Sequence, residues 1–483
     1  MRRVWIMSIC LWLISSMASA QGTDLPTVQV VYQSAMGTGA VSVYRESENT
    51  STPILGAENI PQNSFVEAFL SPDGRHVAIT VSQVIDMYTF GDEQNGKTIG
   101  ELGYQNVLYV FNLINGEMIL RYDLLPTEYR ITPHERDAML EAYFGVVWSP
   151  NSDGLVFVRG TTGPIDEYTP NGYGHVVYFN IATRGLVDLP EIGGTPYDWR
   201  WSNTGQYAVY RGIEDFGTGA GYASSGAYVV DMRDIANIRQ KPMVACCQDI
   251  VPLGWLETGE FVYSYFNIMA GAAGLFAYTP QTDSTQTILP AGQDNLEYSL
   301  ALHAPTGKIL VPVYDFPATE PILTPGLYVY ESITQAQPKR ISDMFGMPTF
   351  FVDANTIYIN DYDMPMIYRI DTGDFIPDTV VTGFVYPSGY GALFTEDETE
   401  AMMYFINDAG EWVIIPNIIP NDLLSYLRFV DTPTSVYFIA FVTPNYMDDS
   451  GWHMVYVGSL STGTSKQVSL TVGDYVLDVG LED

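Results

Sequence analysis

Few side chains in this sequence stand at spacings that would do chemistry. Cys246 and Cys247 are adjacent. Thiols one peptide apart close only a strained ring, because consecutive Cα atoms lie about 3.8 Å apart and a disulfide prefers about 5.5 Å. Two readings stand, two free buried thiols or a vicinal disulfide, and two cysteines without further ligands nearby make a poor zinc site. The five histidines, His76, His134, His175, His303 and His453, are scattered along the chain, and each reads as a packing or surface residue. His134-Glu135 lacks the second histidine of a zinc-protease helix, since Ala138 stands in its place. No Gly-x-Ser-x-Gly elbow occurs. Asp361, Asp363, Asp371, Asp374, Asp448 and Asp449 fall in turn-like stretches without EF-hand spacing. Glu396, Asp397, Glu398 and Glu400 read as one charged turn. No catalytic residue and no cofactor is expected, calcium being the one ion for which oxygen ligands are at hand.

The positions that do recur belong to a repeat. Ser71-Pro72-Asp73-Gly74 follows an apolar stretch and precedes the strand-like His76-Val77-Ala78-Ile79. Trp148-Ser149-Pro150-Asn151 leads to Gly154, Trp201-Ser202-Asn203-Thr204 to Gly205, and Trp255-Leu256-Glu257-Thr258 to Gly259, and Ala304-Pro305-Thr306 ends at Gly307. Proline presets the first turn dihedral, Asp or Asn caps the turn, and glycine accepts the left-handed residue that closes it. The residues after each turn are β-branched or aromatic, so each copy reads as a hairpin. The turn glycines lie 80, 51, 54 and 48 residues apart. Weaker copies stand at Asp353-Ala354-Asn355, Thr395-Glu396-Asp397 and Asp431-Thr432-Pro433. A second hairpin follows in most units, as where Val107–Phe111 runs into Asn115-Gly116. Two hairpins make four strands, and about 50 residues is the size of a propeller blade. Trp148, Trp201 and Trp255 share one repeat position, which makes them blade-packing residues.

The ends complete the pattern. Val28–Tyr32 and Val41–Tyr44 read as middle strands of a blade without its first hairpin turn, and Tyr475–Val479 is a lone strand. Pairing them would close a ring and remove exposed edges. The segment Thr132-Pro133-His134-Glu135 has an N-cap, a proline at the first helical position and a capping-box glutamate, predicting a short helical insertion over 132–143. Residues 1–20 carry Arg2 and Arg3, an apolar run and Ala18-Ser19-Ala20, the pattern of a cleaved export signal. Residues 21–483 are then one domain, with no later apolar run long enough to span a membrane.

Composition narrows the function classes. The chain has 21 Lys and Arg against 56 Asp and Glu, a net charge of −35, and loss of Arg2 and Arg3 with the signal makes it −37. Such a surface repels phosphate backbones and anionic membranes, which excludes nucleic acid as a partner. With Cys10 in the signal, only the adjacent pair remains, so this is no disulfide-stapled scaffold.

The Ser-Pro-Asp-Gly turn at 71–74, with Trp148-Ser149-Pro150 and Trp201-Ser202 as variants, resembles the TolB-type, WD-like β-propeller repeat. The resemblance covers about residues 27–480 and is stronger before residue 310. It implies an all-β propeller of four-stranded antiparallel blades. Eight blades are expected, with seven and nine as alternatives. TolB itself carries an α/β domain ahead of its propeller, and here the blades begin near the mature N-terminus, so TolB itself is not the match. The function expected is a secreted or periplasmic, non-catalytic monomer that binds a protein or an extracellular ligand. The alternative is a propeller enzyme that acts on glycans through carboxylates at the central channel.

Overall fold

The structure is a computed structural model. It describes residues 25–34, 39–62, 64–92, 97–124, 146–159, 175–190, 192, 195–215, 222–244, 249–267, 271–290, 300–313, 323–343, 349–361, 364–377, 384–387, 392–396, 401–406, 412–414, 423–431, 436–443, 454–459, 462–468 and 475–482. The export signal, the 132–143 insertion and the Cys246-Cys247 pair lie outside the described residues.

The described chain is built of strands, with two single-turn 3-10 helices at Ala57–Asn59 and Ile235–Asn237. The strands form nine four-stranded antiparallel sheets. The first combines Val28–Gln33, Val41–Arg45 and Thr50–Leu55 with the last strand, Tyr475–Leu481. The second to ninth follow in chain order at 64–123, 146–188, 195–244, 249–289, 301–342, 349–377, 384–414 and 423–468. Each is a simple meander. In the second sheet the hairpin of His76–Asp92 and Lys97–Asn112 runs past the end of its neighbour Ser64–Leu70, shifts register between Val84 and Asp86, and continues to Asp92 opposite Lys97.

Nine sheets among the described residues are one more than the eight expected first and equal the nine given as an alternative. The weak copies at Asp353-Ala354-Asn355 and Asp431-Thr432-Pro433 begin at the ends of the first strands of complete sheets, whereas Thr395 and Glu396, read as a turn, end the second strand of theirs. The eighth sheet manages with strands of four, five, six and three residues. The sheet shared by the two chain ends then adds the ninth.

Sequential sheets pack face to face, which explains why the middle strands read as unbroken apolar runs. Val77 and Ile79 turn toward the first sheet, where they meet Val31, Val41 and Val43. Ala78 between them turns toward the third, joining Leu108, Trp148, Leu155 and Phe157. The same division joins the third sheet to the fourth through Val156, Tyr178, Trp199 and Tyr210, and the ninth to the first through Ile439, Val457, Val28 and Val30. Each such Val, Leu, Ile or Phe side chain contributes roughly 1.5–3 kcal/mol on burial. The outermost strand is half solvated, as in Met118–Asp123, where exposed and partly buried residues mix.

The first strands of neighbouring sheets touch one another. Tyr475–Leu481 contacts Ser64–Leu70, which contacts Val146–Trp148, and Ala301–His303 lies between Asp249–Trp255 and Thr349–Asp353. This edge is where the sheets converge. Meandering four-stranded sheets converging on their first strands are the architecture of a β-propeller. Among the described residues no helix is long and apolar enough to cross a membrane.

Candidate functional site

The repeated turn residues form a stitching line between sheets. Ser71 Oγ accepts from the His76 amide at 2.9 Å and donates to Asp73 Oδ1 at 2.6 Å. Gly74 stands at φ +66° and its carbonyl accepts from Gln29 Nε2 of the first sheet at 2.6 Å. The Asp73 amide donates to Ser152 Oγ of the third sheet at 3.0 Å, and Asn151 Nδ2 donates to the Thr204 carbonyl of the fourth at 2.8 Å. Pro72 occupies the same turn. Gly205, Gly259 and Gly307 hold left-handed dihedrals of +69°, +97° and +71°, the conformation glycine adopts without cost. Gly154 does not. It is glycine because a Cβ there would meet the Phe179 carbonyl at 2.6 Å and collide with the Tyr178 hydroxyl.

Two of the three tryptophans at the strand ends reach back to the preceding sheet. Trp148 Nε1 donates to the Phe69 carbonyl at 2.8 Å, and Trp255 Nε1 to the Arg200 carbonyl at 3.1 Å. Trp201 packs edge-on against Tyr178 and Trp199, and its Nε1 is buried with no acceptor among the described residues. His303 ends the corresponding strand of the sixth sheet, bonded through Nδ1 to Thr306 Oγ1 at 2.8 Å and edge-on to Phe351. His76 lies against Trp148, and burial pulls its imidazole below the ordinary histidine range. His175 pairs with Arg159 in the third sheet. His134 and His453 lie outside the described residues, as do Asp363, Asp397, Glu398, Glu400, Asp448 and Asp449. Asp361 and Glu396 lie in strands, and Asp371 and Asp374 are exposed in a turn. Among the described residues no group of three or more His, Cys, Asp or Glu gathers to hold a metal ion.

One polar cluster does form between inner strands. In Thr195–Trp201 the pairing slips between Tyr197 and Arg200, and Asp198 at this bulge has φ +53°. Bulges re-aim side chains, and a left-handed non-glycine residue stores strain. Arg211 on the neighbouring strand lies directly opposite Tyr197, its guanidinium 4.2 Å from the ring centroid. It holds Asp198 Oδ2 at 3.0 Å with one amino group. With the other it reaches Asp249 at 3.3 Å and the Ile250 carbonyl at 3.0 Å, both in the fifth sheet. Tyr197 donates to Asp249 Oδ2 at 3.1 Å, and Arg200 Nε to Asp198 Oδ1 at 2.8 Å. Arg211, Asp198 and Asp249 are each about one-fifth exposed. Burial pushes the Tyr197 hydroxyl well above the ordinary tyrosine range, the Asp249 and Asp198 charges reinforce this, and Arg211 opposes it. Tyr197 therefore stays a donor at neutral pH.

The cluster is chemically a pair of carboxylates tied to a common guanidinium. The sequence signal for it is a local charge balance. Residues 195–244 carry Arg200, Arg211, Arg233, Arg239 and Lys241 against five acidic residues, whereas 249–289 has no Lys or Arg. Lys241 of the fourth sheet also pairs with Asp283 of the fifth, so this interface is bridged by ions at both ends.

No protein-family model matches the chain, and no curated protein is similar to it in sequence. Among solved structures it is similar to dipeptidyl peptidase 4 of Porphyromonas gingivalis, at 10% identity and a TM-score of 0.48, over 90% of this chain and 67% of that one. It is similar to TolB from Acinetobacter baumannii at 10% identity and a TM-score of 0.26, over 83% of this chain and 65% of that one. The β-propeller domain of the Trilobed protease from Pyrococcus furiosus matches at 12% identity and a TM-score of 0.33, over 83% of this chain and 95% of that domain.

Proposed function

We propose that the chain is an exported, non-catalytic β-propeller that serves as a binding scaffold in the periplasm or outside the cell. In this reading residues 21–483 are one monomeric domain. Its nine sheets form a ring, closed by the pairing of Val28–Gln33 with Tyr475–Leu481. The observation that carries the reading is the bonding of the inner cluster. Asp198 and Asp249 are both committed to Arg211, and Tyr197 spends its proton on Asp249. Neither carboxylate has the freedom to deliver a proton or attack a substrate, the two tasks a glycan-cleaving pair must divide. The turn and tryptophan bonds between sheets meanwhile make a rigid frame, the usual support for binding loops.

The glycan-cleaving alternative has one observation in its favour. Asp198 and Asp249 come from successive sheets and converge on one guanidinium. Incubating the purified mature protein with a panel of soluble polysaccharides and peptides separates the two readings. The scaffold reading expects no new products by mass spectrometry. Turnover that disappears in both Asp198→Asn and Asp249→Asn would establish the enzyme instead. Export is checked by sequencing the N-terminus of protein recovered from the periplasm or medium, where Gln21 is expected first.

A further inference from the structure

We propose, on the strength of the binding-scaffold reading, that Arg200 is the docking point for a ligand bearing a single carboxylate. The two arginines of the inner cluster differ in what they have left to give. Arg211 spends both terminal amino groups on Asp198, Asp249 and the Ile250 carbonyl. Arg200 is held through Nε alone, by Asp198 Oδ1 at 2.8 Å. Its two terminal amino groups meet no acceptor among the described residues, and its side chain is 39% exposed.

That guanidinium is positioned from both ends. Its plane is set by Asp198, which the bulge holds in a left-handed conformation that a side chain adopts only at a cost. Its backbone is pinned by Trp255 Nε1 of the next sheet, which donates to the Arg200 carbonyl. Strained residues at a bulge mark places where a side chain is aimed for a purpose. A guanidinium with open amino groups presents parallel N–H donors, the geometry a carboxylate accepts in a bidentate pair. The location is also less acidic than the chain as a whole. The chain carries −35 overall, yet the stretch of the fourth sheet is electroneutral. A monoanion fits better than a phosphate. Only one guanidinium is open, and a dianion suffers about twice the repulsion from the acidic body.

The test uses the mature protein and three probes, an N-acetylated tripeptide of alanine and phenylalanine with a free C-terminal carboxylate, its C-terminal amide, and inorganic phosphate. Binding is followed by calorimetry and by tryptophan fluorescence. The acid is expected to bind at least tenfold more tightly than the amide or phosphate. Arg200→Gln should lose at least tenfold, and Arg200→Lys should lose part of the affinity, since an ammonium cannot donate two parallel bonds. Arg239→Gln, on the outer strand of the same sheet, should leave it unchanged. Thermal midpoints check folding, and Arg200→Lys carries the comparison if Arg200→Gln does not fold. Equal binding of acid and amide, tighter binding of phosphate, wild-type affinity in both Arg200 variants, or binding of no probe would each overturn the proposal. Cleavage of the peptide, read by mass spectrometry, would instead remove the non-catalytic reading and leave the Arg200 assignment intact.

Discussion

Arg211 in the fourth sheet grips Asp249 at the head of the fifth, its amino group 3.3 Å from each carboxylate oxygen, while its other amino group holds Asp198 at 3.0 Å. Arg211→Met leaves Asp249 without its cation and Asp198 with Arg200 alone, two mostly buried carboxylates no longer clamped together. A loss of about 3 kcal/mol is expected, the lower end for breaking a buried pair because the groups keep some solvent. Adding Asp198→Asn and Asp249→Asn should recover most of it. Urea unfolding midpoints measure both, and a single variant as stable as wild type would show the clamp to be idle.

The strand-end tryptophans should respond unequally to removal of the indole N–H. Trp148→Phe and Trp255→Phe each lose a hydrogen bond to a carbonyl of the preceding sheet, at a cost of about 1 kcal/mol beyond the packing change. Trp201→Phe deletes a buried donor without an acceptor among the described residues, so its hydrogen-bond contribution should be neutral or favourable. Calorimetric melting of the three variants gives the order, and a Trp201 variant harmed as much as the other two would contradict it.

Three glycine-to-alanine changes should rank by what the new methyl group meets. At Gly116 (φ +70°) it enters open space, so only the left-handed dihedral counts, about 1 kcal/mol. At Gly74 (φ +66°) the same strain is joined by contact with Gln29 Nε2 at 2.5 Å and the Leu481 carbonyl at 3.1 Å. At Gly154 the methyl meets the Phe179 carbonyl at 2.6 Å and the Tyr178 hydroxyl, backbone and buried ring that have no room to retreat. Thermal midpoints should fall in the order Gly116, Gly74, Gly154, from least to most.

Acid should weaken the fold partly through His76. Its pKa lies below the ordinary 6.5, first because burial disfavours the imidazolium. The unfolded chain then takes up the proton before the folded one, so stability rises with pH across this interval. The contribution is complete above pH 6.5 and drains away as pH falls through the depressed folded value. Unfolding measured at pH 7.5 and 5.5 should show a smaller difference in His76→Gln than in the parent. An unchanged difference would place the acid sensitivity elsewhere.

The architecture was legible wherever local chemistry dictates it. Proline, aspartate and glycine at 72–74 have few backbone options, and the strands beside them announce themselves by branched and aromatic side chains. Even the partnership of Val28–Gln33 with the last strand could be inferred, because each lacked a neighbour of its own. Counting the sheets was hardest where strands shrink to three or four residues, and Thr395-Glu396, read as part of a repeat turn, instead ends the second strand of its sheet. The polar cluster was hidden for a different reason. Tyr197, Asp198 and Arg200 sit on a strand whose register slips, so period-two counting misassigns their faces. Arg211 and Asp249 join them from separate strands, one in the next sheet. The cluster's trace in the sequence is the balance of charge in 195–244 beside a stretch without a single Lys or Arg, and since 301–342 is balanced too, that trace does not locate it.

The pairing of Val30 with Val479 makes an early strand wait for one made about 450 residues later. Closing so long a loop adds little free-energy cost, since the penalty grows only with the logarithm of length, but it falls at the end of the assembly order. Any nascent or truncated chain shorter than about residue 475 therefore carries the same unsatisfied N-terminal edge, a template on which another chain could zip. The exposure of that one edge thus separates chains that contain residues 475–481 from those that do not.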